Sequence, residues 1–387
     1  MIKIETEKIP IYIWAEETDL VGFDSAIDQA RDLANHPVAR QHVALMPDFH
    51  VGYGMPIGGV LATKGGVLPN AVGVDIGCGM IAARTGIEAA SLDRDTLQAI
   101  RAEVHKRVPV GFKQHDRPQV LWEGARETAD ALPVIAKRVD AAALQVGSLG
   151  GGNHFIELQK DADGHVWLMV HSGSRNLGKQ VCEHYDRIAR GYMAAMLIEL
   201  PSNDLAYLPD ETPEHGEYLA SMHWCLRFAE ESRERMLARV TEVVESVLAR
   251  PIEVGTPVQT HHNYAALESH EGEEVWVHRK GAVRAQGLVT IPGSMGTASY
   301  IARGKDSPLS FGTCSHGAGR VLGRKEANRL ITHEEAEKAM EHVVFGVRKG
   351  DYDEMPQAYK DIDKVMLNQA DLVEPEVRLT PLAVVKG

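Results

Sequence analysis

Six segments, five of them glycine-rich turns and one marked by asparagine, each carrying aspartate, cysteine or histidine at the edge of an apolar run, constrain this chain more than any helix or strand signal does. The tightest is Gly73-Val74-Asp75-Ile76-Gly77-Cys78-Gly79. Its glycines make a poor helix but let the backbone fold sharply, bringing Asp75 and Cys78 to one point. A hard carboxylate oxygen beside a soft sulfur suits a transition metal such as Mn, Fe, Co or Zn better than Ca or Mg alone.

The other five segments repeat the style. They are Met46–Gly58 with Asp48 and His50, Gly147–Glu157 with Asn153 and His154, His171–Gly178 with Arg175, Gln259–Asn263 with His261 and His262, and Cys314–Arg320 with His316. A single histidine is more often a solvated or hydrogen-bonded core side chain than a ligand. Histidine is nevertheless the commonest borderline metal ligand, and glycine turns let a backbone approach a bound group, so the set carries more weight than its members. His36, His105, His184, His215, His223 and His342 sit in plain helical or polar contexts and are read as ordinary.

The stretch from Gly173 through Gly178-Lys179 nearly matches a phosphate-binding loop, but Gln180 lacks the hydroxyl that such a loop gives to Mg²⁺. Its strand-loop-helix shape still permits N–H groups and Arg175 to face an anion. Arg279-Lys280, Arg320 and Arg324-Lys325 are basic spots beside the clusters, equally readable as phosphate contacts or surface charge.

Length alone, at 387 residues, allows two or three domains. The formal net charge of −13 argues against blanket electrostatic binding of nucleic acid, so any such contact needs a local basic patch or bound ions. Aromatic residues make up 6%, too few for numerous base-stacking platforms. Cys78, Cys182, Cys225 and Cys314 are scattered, the first residues lack the apolar core of a signal peptide, and no apolar run reaches membrane length. A reducing cytoplasm with free thiols is the expectation.

Residues 9–14 read as an edge strand, with short buried strands at 42–46, 58–63, 80–84 and 166–171. Ser91 is the expected N-cap of a helix to about 108, followed by helices at 121–145, to about 200, and at 214–248, the longest. The region 252–300 reads as β, then helices at 333–346 and 356–368 precede an apolar C-terminal strand. The irregular alternation predicts α+β layers rather than a βαβ series.

Taken in order, the motifs Met-Pro-Asp-x-His-x-Gly-Tyr-Gly-x-Pro-Ile-Gly-Gly, Gly-x-Asp-Ile-Gly-Cys-Gly, Gly-Asn-His-Phe-x-Glu, His-x-Gly-Ser-Arg, His-Asn, Pro-Gly-Ser-Met-Gly-Thr and His-Gly-Ala-Gly-Arg resemble the RtcB family of GTP-dependent RNA ligases. The likeness runs from about residue 40 to the end. It implies a single catalytic domain over 1–387, α+β with central β-sheets surrounded by helices. It also implies joining of an RNA 3′-phosphate or 2′,3′-cyclic phosphate end to a 5′-hydroxyl end, using GTP and two Mn²⁺ ions.

By the same resemblance Cys78 bridges the two metals, His154 and His171 complete one site, and Asp75 and His262 the other. His316 is the nucleophile that takes GMP, oriented by Asp48. Asn153, Glu157, Ser294, Ser299, Ala318, Gly319 and Lys386 contact the nucleotide, while Arg175 and Arg320 face RNA phosphate. The implied partners are tRNA or rRNA fragments and an activator of the archease type, with no membrane. Gly323 stands where the family usually has serine, and basic surface is sparse, so the choice between splicing and repair substrates stays open. A binuclear metal phosphoesterase acting on cyclic RNA ends would share the metal ligands but need neither GTP nor a covalent histidine. A metal-dependent RNA-binding scaffold would leave His316 without a task.

Overall fold

A computed structural model describes residues 1–348 and 350–386. Two large sheets carry the fold. The first orders its strands Ile2–Ile4, Ile11–Ile13, Ala39–His50, Ile57–Thr63, Glu273–Lys280 and Asn263–His270. Ile11–Ile13 runs parallel to Ala39–His50, and the other neighbours are antiparallel. The second sheet is antiparallel throughout and orders Val258–His261, Gly79–Glu88, His165–Ser172, Phe155–Lys160, Val373–Lys386, Ser299–Gly304 and Leu288–Ile291.

Both sheets are covered on both faces, so their strands read as nearly continuous apolar runs. Side chains still alternate between two cores. In the second sheet Ile81, Ala83, Leu168 and Val170 face the long helix Pro213–Leu248 through Met236, Val240 and Val244. Met80, Ala82 and Met169 face the opposite way, toward Ile301, Met340 and Met355. In the first sheet Val43, Leu45 and Leu61 pack under helices Asp24–Ala34 and Leu177–Ala195. Their neighbours Ala44, Met46, Val60 and Ala62 face Val289, Ile291 and Tyr300. The α+β expectation, with sheets at the centre and helices outside, matches this architecture.

Several expected elements differ. Residues 11–13 are not an edge, because Ile2–Ile4 pairs outside them. The Ser91 hydroxyl donates to Glu88 O in a 3₁₀ turn, and the helix Arg94–Arg107 is capped by Asp93, whose carboxylate accepts from Thr96 N at 2.8 Å. The expected helix over 121–145 is three short ones, Ala125–Asp130, Pro133–Ala136 and Val139–Gln145. Pro133 removes a donor and forces Leu132 into the extended region, which interrupts the run. The helix expected to about 200 ends at Ala195. Likewise 333–346 is helical only over His333–Ala339, and 356–368 opens as a 3₁₀ turn before the Asp361-capped helix Ile362–Asn368.

Strand register positions the site. His261 pairs with Gly79, while Met80, His171, Phe155 and Lys386 form one row across four strands. Cys78, His154 and His262 lie one residue beyond their strands at that same end. His262 alone separates Val258–His261 of one sheet from Asn263–His270 of the other. Arg233, fully buried on the long helix, fastens this end. It donates to Gly77 O at 2.9 Å, Ser172 O at 3.0 Å, the Gln259 side chain at 3.0 Å and His261 Nδ1 at 3.1 Å. Replacing Arg233 by Met keeps much of the volume but strands two buried carbonyls. The substitution is expected to cost about 3 kcal/mol in urea unfolding. A loss below about 0.5 kcal/mol, the range of ordinary surface changes, would show that Arg233 is not the tie.

Candidate active site and metal centre

The described ligand atoms of Cys78, His154 and His171 lie within 4.8 Å of one another. Cys78 Sγ stands 3.2 Å from His171 Nε2 and 3.5 Å from His154 Nε2. His171 Nδ1 donates to Asn153 O at 3.0 Å, which leaves the Nε2 lone pair aimed at the sulfur. His262 approaches from the sheet junction, with its ring centroid 5.3 Å from that of His171. Its Nδ1 is buried without a protein partner, as is His154 Nδ1.

The His154 and His171 Nε2 atoms turned on the thiol, with the orphaned His262 Nδ1 on the neighbouring ring, fit a bound cation, since a buried polar atom lacking a partner is costly. Asp75 opens onto the same cavity, and its backbone carbonyl accepts from Cys78 N at 2.9 Å. Burial drives His154 down to about 3 and holds His171 and His262 well below the ordinary imidazole range. All three are therefore neutral, the form that ligates. Burial, reinforced by Asp75, pushes the Cys78 thiol up. Burial also raises the Asp75 carboxyl, which faces the cavity but is ringed by protein; Lys280 and Arg324 oppose that rise. A coordinated cation reverses the logic for the thiol by binding it as thiolate.

The cavity, about 270 Å³, is also lined by His316, whose position is built by the first sheet. Asp48, near the end of Ala39–His50, accepts from His316 Nδ1 at 2.6 Å, His316 N at 3.0 Å and Gly317 N at 3.3 Å, all through Oδ2. This fixes the ring with Nδ1 protonated and Nε2 bearing the lone pair. The approach requires Gly319 at φ +73°, where an added Cβ would fall 2.1 Å from Asp48 O. Lys360 donates to Pro47 O and Phe49 O on either side of Asp48. The His316 and His262 ring centroids are 4.8 Å apart, so His316 and the candidate ligands share one chamber.

Asn153, Ser294, Ala318, Gly319, Lys386 and Arg320 line the cavity as well. Glu157 and Ser299 are not among its lining residues. They lie buried side by side, each accepting from Gln159 Nε2, and burial raises the Glu157 carboxyl to about 8. Arg175 is not brought to the cavity either. Its guanidinium donates to Ser148 and to Gly111 O, beneath the turn that carries His154. Arg175 therefore braces a ligand-bearing loop in this structure.

Glu354 and Tyr359 also line the cavity, and no motif announced them. Arg320 stacks on Tyr359, 4.9 Å from its centroid, and donates to Glu354 at 3.5 Å. Arg324 and Tyr359 also bond to Glu354, with Lys386 3.6 Å away. Burial pushes Glu354 up, but Lys386, Arg324, the Tyr359 hydroxyl and Arg320 outweigh it and hold the carboxyl below its usual range.

A buried thiol-imidazole cluster beside a carboxylate-backed histidine, at the junction of two sheets, defines a candidate metal-dependent enzyme. The family profile described as tRNA-splicing ligase RtcB matches residues 29–387. Two Escherichia coli proteins named RNA-splicing ligase RtcB1 and RNA-splicing ligase RtcB are 38% and 37% identical, each alignment covering 99% of both chains. The tRNA-splicing ligase RtcB of Thermococcus kodakarensis is 31% identical over 98% of this chain and 95% of its own length. The chain belongs to the RtcB family.

If Cys78 is a ligand, metal-free protein titrated with Co²⁺ develops visible absorption with a thiolate-to-cobalt band that Cys78→Ser abolishes. Because the thiol is held protonated near neutrality and must lose its proton on binding, apparent affinity rises with pH, about tenfold per unit for one proton. An affinity independent of pH, with the band unchanged in Cys78→Ser, would remove the thiol from the site.

Proposed function

We propose that this protein is a GTP-dependent RNA ligase that joins 3′-phosphate or 2′,3′-cyclic phosphate ends to 5′-hydroxyl ends, with 1–387 acting as one catalytic domain. The observation that carries this reading is the Asp48–His316 pair set 4.8 Å, ring to ring, from a member of the thiol-imidazole cluster. A hydrolase would need the cluster but not a nucleophile so prepared.

Cys78, with His154 and His171 on one side and Asp75 and His262 on the other, would hold two Mn²⁺ ions. When bound, these ions supply positive charge to the phosphoryl oxygens and to the attacking and leaving oxygens. His316 Nε2 attacks the α-phosphorus of GTP. The N–P bond forms as the bond to pyrophosphate breaks, and Asp48 balances the imidazolium charge that develops. A cyclic end is first opened by water to a 3′-phosphate. An oxygen of the RNA 3′-phosphate then takes GMP from His316, which regains its neutral ring. The 5′-hydroxyl attacks the activated 3′-phosphate and GMP leaves.

In this reading Asn153, Ser294, Ala318, Gly319 and Lys386, which line the cavity, would contact the nucleotide, and Glu157 and Ser299, which do not line it, would act through their neighbours. Arg320 is the nearer candidate for RNA phosphate, and Arg175 acts through the loop it braces. tRNA or rRNA fragments are the proposed substrates, an archease-type protein the proposed activator, and the cytoplasm the proposed compartment. Among the described residues no helix is long and apolar enough to cross a membrane.

Incubation with Mn²⁺ and GTP labelled on the α-phosphate is expected to give an acid-labile labelled protein. His316→Ala should give none, and Asp48→Asn should slow labelling at least about a hundredfold, as for loss of a positioned acid-base partner. Joining of RNA ends by His316→Ala would refute the covalent mechanism.

A further inference from the structure

Phe112 is the most exposed large apolar side chain among the described residues, at 107% of its reference area. Exposure alone would mean little, since single apolar residues are common on surfaces. Its setting is what matters. The flanking backbone is bonded to the turn that carries Asn153 and His154. Leu149 N donates to Pro109 O at 2.9 Å, Gly111 N to Gly150 O at 2.8 Å, and Arg175 Nη2 to Gly111 O at 2.8 Å. A Cβ built on Gly151 would meet Gly111 Cα at 3.7 Å. Chain geometry then places the Phe112 Cα no more than about 17 Å from that of Asn153, which lines the cavity. The far side of the loop is held too, by His115 N to Leu144 O at 2.9 Å and Gln119 N to Ala143 O at 2.7 Å.

The loop itself carries two cations against one acid. Lys113 and Arg117 are exposed on the loop itself. Arg235 donates to Val120 O at 2.5 Å, and Arg235 and Arg239 both act on His115. Arg235 and Arg239 are paired with Glu231 and Glu242, and Asp116 and Glu123 are exposed nearby, so Lys113 and Arg117 are the cations here without a carboxylate partner among the described residues. A solvated aromatic ring on an anchored backbone, beside cations, is the arrangement that takes a stacked base while its phosphates are neutralised. The net charge of −13 made such a patch necessary for any RNA contact.

We propose that Phe112 is a stacking platform for an unpaired base of the RNA substrate, with Lys113 and Arg117 facing the adjoining phosphates. The inference rests on the ligase reading. Self-labelling of the wild-type protein by GTP, which needs no RNA, tests that reading separately.

The test is fluorescence anisotropy of single-stranded oligoribonucleotides, one ending in a 3′-phosphate and one beginning with a 5′-hydroxyl, with Mn²⁺ and without GTP. Phe112→Ala is expected to raise Kd for at least one of them about tenfold, the loss of one stacked base, with an unchanged melting temperature. Phe112→Trp should restore binding. An abasic nucleotide scanned along that oligonucleotide should reach a position where Phe112→Ala adds no further loss. Equal Kd values for wild type and Phe112→Ala with both oligonucleotides would overturn the platform, even if self-labelling succeeds, and would leave Phe112 to a protein partner.

Discussion

The buried guanidinium of Arg233 is the interaction on which the candidate centre depends. Among the described residues it has no carboxylate partner. Its donors go to Gly77 O beside Cys78, Ser172 O beside His171, and the side chains of Gln259 and His261 beside His262. Three segments far apart in sequence are thereby held at one end of the second sheet. Burial lowers this arginine to about 10, still high enough to leave it charged at neutral pH. A fixed positive charge at that point favours the thiolate over the thiol and adds to the burial that keeps the surrounding imidazoles neutral. One side chain thus provides both position and electrostatic bias.

The two sheets divide the chemistry. The second presents a thiol and imidazoles, the candidate ligands, along its end row. The first presents the carboxylate that orients His316. Between them lies a ring of opposed charges, Arg320, Arg324 and Lys386 around Glu354. Because Glu354 neutralises part of this cluster, the cationic groups can sit at a largely enclosed cavity without an anion always present. An arriving phosphate can then exchange with Glu354 for one of these donors at modest cost.

Much of the centre was legible in the sequence, for a physical reason. Glycine turns let a backbone approach a bound group, and Asp75, Cys78, His154, His171 and His316 carry that local mark, while His262 is marked only by its neighbours His261 and Asn263. Strands such as Gly79–Glu88 and the long helix Pro213–Leu248 were legible from continuous apolar runs and from the lack of breakers. Other features depend on tertiary context that leaves no local trace. Glu354 and Tyr359 reach the cavity only because the 350s fold over the Arg320 turn. Arg175 reads like a phosphate ligand but finds carbonyl and hydroxyl partners first. The helix over 121–145 failed for a reason that was present in the chain: Pro133 outweighs the alanine-rich composition around it.

His262 is the sole residue between a strand of one sheet and a strand of the other. That leaves no slack. Any sliding of one sheet past the other drags this imidazole with it, so the centre acts as a strain gauge for the whole scaffold. Heat or denaturant that loosens either sheet slightly will spoil the geometry around Cys78 and His316 well before the hydrophobic cores come apart. Inactivation should therefore precede unfolding, and the working temperature range is set by the stiffness of one junction rather than by the bulk of the fold.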